Sequence, residues 1–132
     1  RLSDDMLPLI TQVRIACNFP LRACSPVFDL KVCSFDNDDN SHEGLKRQLR
    51  QTIDHLHQMK NAKPRNMERL VSDQAGHTDI RLPADEYILR FALPNFFFHL
   101  SMIYAIARAK GVPLSKGDFD GFHQYAKGFR FD

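Results

Sequence analysis

The chain has 132 residues, 43% of them hydrophobic and 26% charged, with a formal charge of +2. That size and composition suit one ordinary globular domain with one core, and not a disordered or fibrous chain. The 18 Lys and Arg form no basic block, so nothing argues for nucleic acid, and no run of about 18 apolar residues or secretory signal argues for a membrane span or export.

Ser3-Asp4-Asp5 precedes an apolar-periodic run and predicts a helix start, with Pro8 in its first turn. Met6, Leu9/Ile10, Val13, Cys17, Leu21 and Cys24 trace the buried stripe. Pro20 predicts a kink or break near Asn18-Phe19, and Ser25-Pro26 the end. Arg14 and Asn18 lie one turn apart on the flank of this stripe. A solvated face is the ordinary reading of that pair; the alternative is that both point into the interior with His99.

Val27–Val32 alternates weakly and, lacking a partner run, reads as an extended loop. Phe35–Ser41 is acidic and turn-rich but lacks the glycine and closing glutamate of a calcium loop. It reads as a solvated loop ending in a cap, Ser41 or Asn40. Glu43–Met59 is the cleanest helix, with Leu45, Leu49, Ile53, Leu56 and Met59 on one face. His55 and His57 are two apart and cannot share a face, so they make a poor helical metal site.

Asn61–Pro83 is irregular, broken by Pro64, Gly76 and Pro83. It offers a turn of helix at Met67–Val71 and a brief strand at Asp79–Leu82. Loops of this length often cover a site. A long helix follows over Tyr87–Gly111, capped by Asp85, bent by Pro94 and closed by Gly111. Its apolar stripe runs through Ile88, Phe91/Ala92, Met102/Ile103 and Ile106, and carries Asn95 and His99 one above the other. An unpaired buried polar group costs about 1–3 kcal/mol, so something on the facing helices must meet these two. The tail, residues 114–132, holds Phe119, Phe122, Tyr125, Phe129 and Phe131, which are expected to fold back onto the bundle. Cys17, Cys24 and Cys33 match no zinc spacing and read as reduced thiols, which favours a reducing compartment such as the cytoplasm.

The run Phe91-Ala92-Leu93-Pro94-Asn95-Phe96-Phe97-Phe98-His99 carries the most specific signal, joined by Tyr104-Ala105-Ile106, Arg108, Gly111-Val112-Pro113-Leu114 and Asp118-Phe119. Together they closely resemble the uncharacterised family of the domain of unknown function numbered nineteen-ninety-three, a branch of the DinB/YfiT-like four-helix bundles. The resemblance extends from the start at Arg1–Met6 to about Asp118 and is loosest between Val27 and Pro83. It implies an all-α, up-down helical bundle in a single domain over residues 1–132, with three main helices in this chain. It also implies that the family's first helix falls before Arg1, in which case an apolar groove is expected to take a homodimer partner or a separate fragment.

Many relatives bind a divalent metal through a histidine on the second helix and a His-x-x-x-His pair on the fourth. Here Asn95 stands where that pair begins, only His99 keeps its histidine, and Asn18 lies near the second-helix position. One imidazole and two amides make a poor zinc or nickel site, so no metal cofactor is expected. The first functional reading is therefore a small-molecule-binding bundle, its pocket built around Asn95 and His99 with Arg14, Asn18 and Tyr104 as polar neighbours. The second is an enzyme of the transferase, isomerase or cyclase type in that pocket, with His99 as catalytic acid or base, with or without a divalent metal. The third is a structural or assembly protein in which the polar pair is satisfied internally.

Overall fold

A computed structural model describes residues 1–64, 67–126, 128 and 129. Three helices carry the fold: α1 (Leu9–Val27), α2 (His42–Met59) and the long α3 (Ala84–Ala109). Between α2 and α3 lies an antiparallel hairpin, β1 (Leu70–Ala75) and β2 (Thr78–Pro83). A short α4 (Lys116–Asp120) follows α3.

α1 begins later than its sequence suggests. Residues 3–6 form a turn, with the Met6 amide on the Ser3 carbonyl at 3.1 Å, and Pro8 is the N-cap. The helix then runs unbroken through Pro20 and Pro26 to Val27. Interior proline costs about 3 kcal/mol; burial of Phe19, Leu21, Ala23 and Val27 around it offsets that cost. α2 starts where its cap predicts, with the Ser41 hydroxyl accepting the Gly44 amide at 3.1 Å.

Arg14 meets Gln48, and Cys17 lies beside Thr52, so α1 and α2 run parallel. Gln12 meets His99 and Phe19 meets Phe91, so α3 runs antiparallel to α1. This differs from simple up-down alternation. Residues 28–41 allow it, because 14 residues of mostly non-regular chain can reach about 45 Å, more than the length of α1 at about 1.5 Å per residue.

The hairpin corrects the all-α expectation and the helical turn at Met67–Val71. Gly76 takes φ +62 in the turn, a left-handed conformation that favours glycine, and Val71 pairs with Leu82. Val71 is buried with Ala23, Val27, Ala84, Tyr87 and Ala92. The hairpin therefore closes one end of the α1–α3 pair.

α3 starts at Ala84 with Pro83 as its N-cap rather than Asp85; the Asp85 carboxylate instead accepts the Glu86 amide at 2.8 Å. The chain widens to a π-helix over Tyr87–Ala92 and returns to α at Leu93. Pro94 explains the place. Its ring clashes with the carbonyl four residues back and it has no amide to offer; the wider turn just before it relieves both. Asn95 then donates its side-chain amide to the Phe91 carbonyl at 2.7 Å, at the junction of the two windings. In the tail, Phe119 packs edge-on against Tyr104 and Tyr125 stacks on Phe129. Phe122 is 87% exposed and does not pack as expected; Phe131 lies outside the described residues.

Candidate functional site

Residues spaced along α1 sort its surroundings into three. Gln12 and Phe19 face α3, Arg14 and Asn18 face α2 and the loop before it, and Val13, Cys17 and Pro20 face the open space between α2 and α3.

The first side is a closed seam. His99 Nδ1 lies 2.6 Å from Gln12 Oε1, and Gln12 is 1% exposed. Phe19 stacks on the imidazole at 5.8 Å and Phe98 meets it edge-on at 5.2 Å. An amide oxygen only accepts, so Nδ1 carries the proton and Nε2 keeps its lone pair. Nε2 has no hydrogen-bond partner among the described residues. Burial pushes the ring below the usual imidazole value, which keeps it neutral at pH 7.

The second side is a polar network. Arg14 donates to Gln48 Oε1 at 3.1 Å, to the Asp39 carbonyl at 3.1 Å and to Asn40 Oδ1 at 3.2 Å. Gln48, fully buried, donates to Asp36 Oδ1 at 2.6 Å, and Asn18 donates to Asp36 Oδ2 at 2.8 Å. Burial pushes the Asp36 carboxyl up; hydrogen bonds from Asn18, Ser34 and Gln48 outweigh it and leave it below the usual value. Asp39 is held at about 2 by the Ser41 hydroxyl and amide and by Arg47. This network docks residues 34–41 onto α1 and α2. His55 approaches Cys33 Sγ at 3.4 Å while His57 is exposed, so the two histidines do take different faces.

The third side is a slot. α1 forms its floor with Val13, Cys17 and Pro20; Leu49 and Ile53 of α2 and Phe96, Leu100 and Ile103 of α3 form its walls. It encloses about 340 Å³ and its lining is wholly apolar in surface. Leu49 and Ile53 belong to the stripe that the spacing of α2 predicts as core, yet they are 45% and 42% exposed. On the α2 wall, Thr52 is 3% exposed and its hydroxyl meets no oxygen or nitrogen partner. Its neighbour is the Cys17 thiol, which burial pushes up and the Thr52 hydroxyl draws slightly back. A thiol is a weak acceptor, so the hydroxyl is only weakly satisfied there, and its oxygen is buried beneath the slot lining. A smaller apolar crevice of about 170 Å³ continues along α1 past Phe19, Pro20 and Phe96.

The five residues singled out from the sequence thus fall in four places. His99 is in the seam, Asn95 is bonded to its own helix, Arg14 and Asn18 share the loop network, and Tyr104 packs against Phe119. None of these hydrogen bonds links His99 to the other four. Spacing along α1 alone could not reveal Gln12 as the imidazole's partner, because a glutamine just outside the apolar stripe carries no signal until the facing helix is in place. Another unforeseen cluster holds the hairpin: buried Tyr87 donates to Asp73 Oδ2 at 2.5 Å, and Arg22 pairs with the same carboxylate. Desolvation and the adjoining carboxylate push the Tyr87 phenol up.

No group of three or more potential metal-ligating side chains occurs among the described residues. All three cysteines are free. Among the described residues one helix, Ala84–Ala109, is long and apolar enough to cross a membrane by length and composition; 11% of its apolar window is buried within the chain.

Comparison with known proteins bears on the fold. A family model described as "Domain of unknown function (DUF1993)" matches residues 1–120. None of the curated proteins matches. Among solved structures, a crystal structure of a DinB family member protein from Shewanella denitrificans is similar at 24% identity and a TM-score of 0.76, covering 96% of this chain and 72% of that one.

Proposed function

Because the chain belongs to the family of the domain of unknown function DUF1993 and has a DinB-like helical fold, we propose that it is a small-molecule-binding helical-bundle protein. The ligand site in this reading is the slot between α1, α2 and α3, on the wall of α3 that carries Phe96 and Leu100 beside Asn95 and His99. The observation that carries it is a slot of about 340 Å³ with a wholly apolar lining, left open between α2 and α3. That volume is within the range of small-molecule pockets, which pair an apolar lining with a few polar groups. A ligand with an aliphatic or aromatic body fits that lining. His99 and Gln12 then hold α1 against α3 behind the slot, and Asn95 fixes the winding of α3. Three free thiols fit a reducing compartment such as the cytoplasm.

A thermal-shift series with C6–C10 primary alcohols and the matching alkanes tests this. Both series should raise Tm in the parent protein, and Ile103→Trp should abolish both shifts. No shift with any member of the series overturns the reading.

A second reading has its own support. His99 is neutral, its Nδ1 is fixed by Gln12, and its Nε2 is free to accept a proton. That is the arrangement of an oriented general base. In this reading Arg14, Asn18 and Tyr104 have no part, since each is engaged elsewhere. Imidazole ¹⁵N spectra should show an Nδ1-protonated ring in the parent and lose that signature in Gln12→Leu; an Nε2-protonated ring removes the base.

A further inference from the structure

α3 is apolar on nearly every side, yet the chain covers it along one seam. A helix that is hydrophobic all round belongs inside something. Leu89, Leu93 and Phe97 follow one another at four-residue intervals and are 66%, 39% and 48% exposed. Leu93 and Phe97 stand beside the slot wall formed by Phe96 and Leu100. Together with Leu49 and Ile53 they form an apolar surface of the kind that monomers rarely leave open beyond a few hundred Å².

The charges at the two ends of α3 say what covers it. Asp85 and Glu86 stand at its start, Arg108 and Lys110 at its end, and nothing between Arg90 and Arg108 is charged. At the start, Arg90 pairs with Glu86 at 2.7 Å within the same helix and leaves Asp85 facing outward beside it. A second α3 laid antiparallel about a two-fold axis near Phe97 sets the acidic start of one helix against the end of the other that carries Arg108 and Lys110. It also opposes the helix dipoles favourably and matches Leu93 with Ser101 across the axis. A parallel pairing would put like charges together at both ends.

We propose that this face takes a second copy of the chain, with α3 against α3 in antiparallel, isologous contact through Leu89, Leu93 and Phe97. The partner helix roofs the slot between α2 and α3. The proposal goes beyond the ligand reading and stands or falls apart from it, since it is read from mass and not from ligand binding.

Light scattering and sedimentation of the full 132-residue chain test it. The expected mass is twice the 15.3 kDa of one chain, at both low and moderate salt. Phe97→Glu should give a monomer with an unchanged helical circular dichroism spectrum, since Phe97 is half exposed and its loss leaves the seam intact. Should Phe97→Glu fail to fold, Leu93→Lys serves the same purpose. Asp85→Lys and Arg108→Glu alone should each weaken the dimer about tenfold, and the double variant should restore it. A parent that stays monomeric at 100 μM overturns the proposal, whether or not it sediments with phosphatidylcholine vesicles. So does a dimer that neither Phe97→Glu nor Leu93→Lys disturbs.

Discussion

The two flanks of α3 are built from similar residues and finished differently. Toward α1, aromatic and polar groups close on one another: Phe19 lies on His99, His99 meets Gln12, and Phe91 packs edge-on against Phe19. Toward α2, Phe96, Leu100 and Ile103 face Leu49 and Ile53 across a gap. The closed flank pairs His99 Nδ1 with Gln12, whereas the open one is lined by apolar surface alone. Burial alone does not distinguish a structural surface from a binding one; completeness of packing and hydrogen bonding does.

The sharpest way to break this contrast is Phe19→Ala. Phe19 is 6% exposed and touches His99, Phe91 and the Arg22 guanidinium. Its loss should cost about 3–5 kcal/mol in urea unfolding. A cost below about 1 kcal/mol means that the seam is not the core of the fold. Gln48→Ala comes next. It strips a buried partner from both Arg14 and Asp36 and should cost about 1–3 kcal/mol, with faster amide exchange over residues 34–41. Unchanged exchange there means that the network does not hold the loop.

His99 gives a pH test of the seam. Its folded pKa lies below the ordinary 6.5 because of burial. Below about pH 6.5 the unfolded chain binds a proton that the folded chain refuses, so stability falls as pH drops from there to the folded pKa. Urea midpoints at pH 7.5 and 5.5 should differ more in the parent than in His99→Gln. Equal differences mean that the ring is not desolvated. The smallest effect is expected in the slot: Ile53→Ser, at 42% exposure, should change the stability of dilute protein by no more than about 0.5 kcal/mol. A cost comparable to that of Phe19→Ala would make the slot part of the core and erase the distinction.

Sequence periodicity determined the three helices of this protein, because an amphipathic stripe must be buried whatever it packs on. The Ser41 cap, the different faces of His55 and His57, and the inward set of His99 were legible for the same local reason. The family was legible too, in the run from Phe91 to His99. Tertiary structure alone decided the rest. Pro20 stays inside α1 because the packing around it outweighs its local cost, and β1 and β2 pair because Val71 reaches a core that sequence spacing does not display. Gln12 rather than Asn95 serves His99, because a partner 87 residues away depends on the antiparallel placement of α1 and α3. Leu49 and Ile53 show the limit in the other direction. A stripe declares that it is apolar, and only the arrangement of neighbouring helices decides whether anything in the chain covers it.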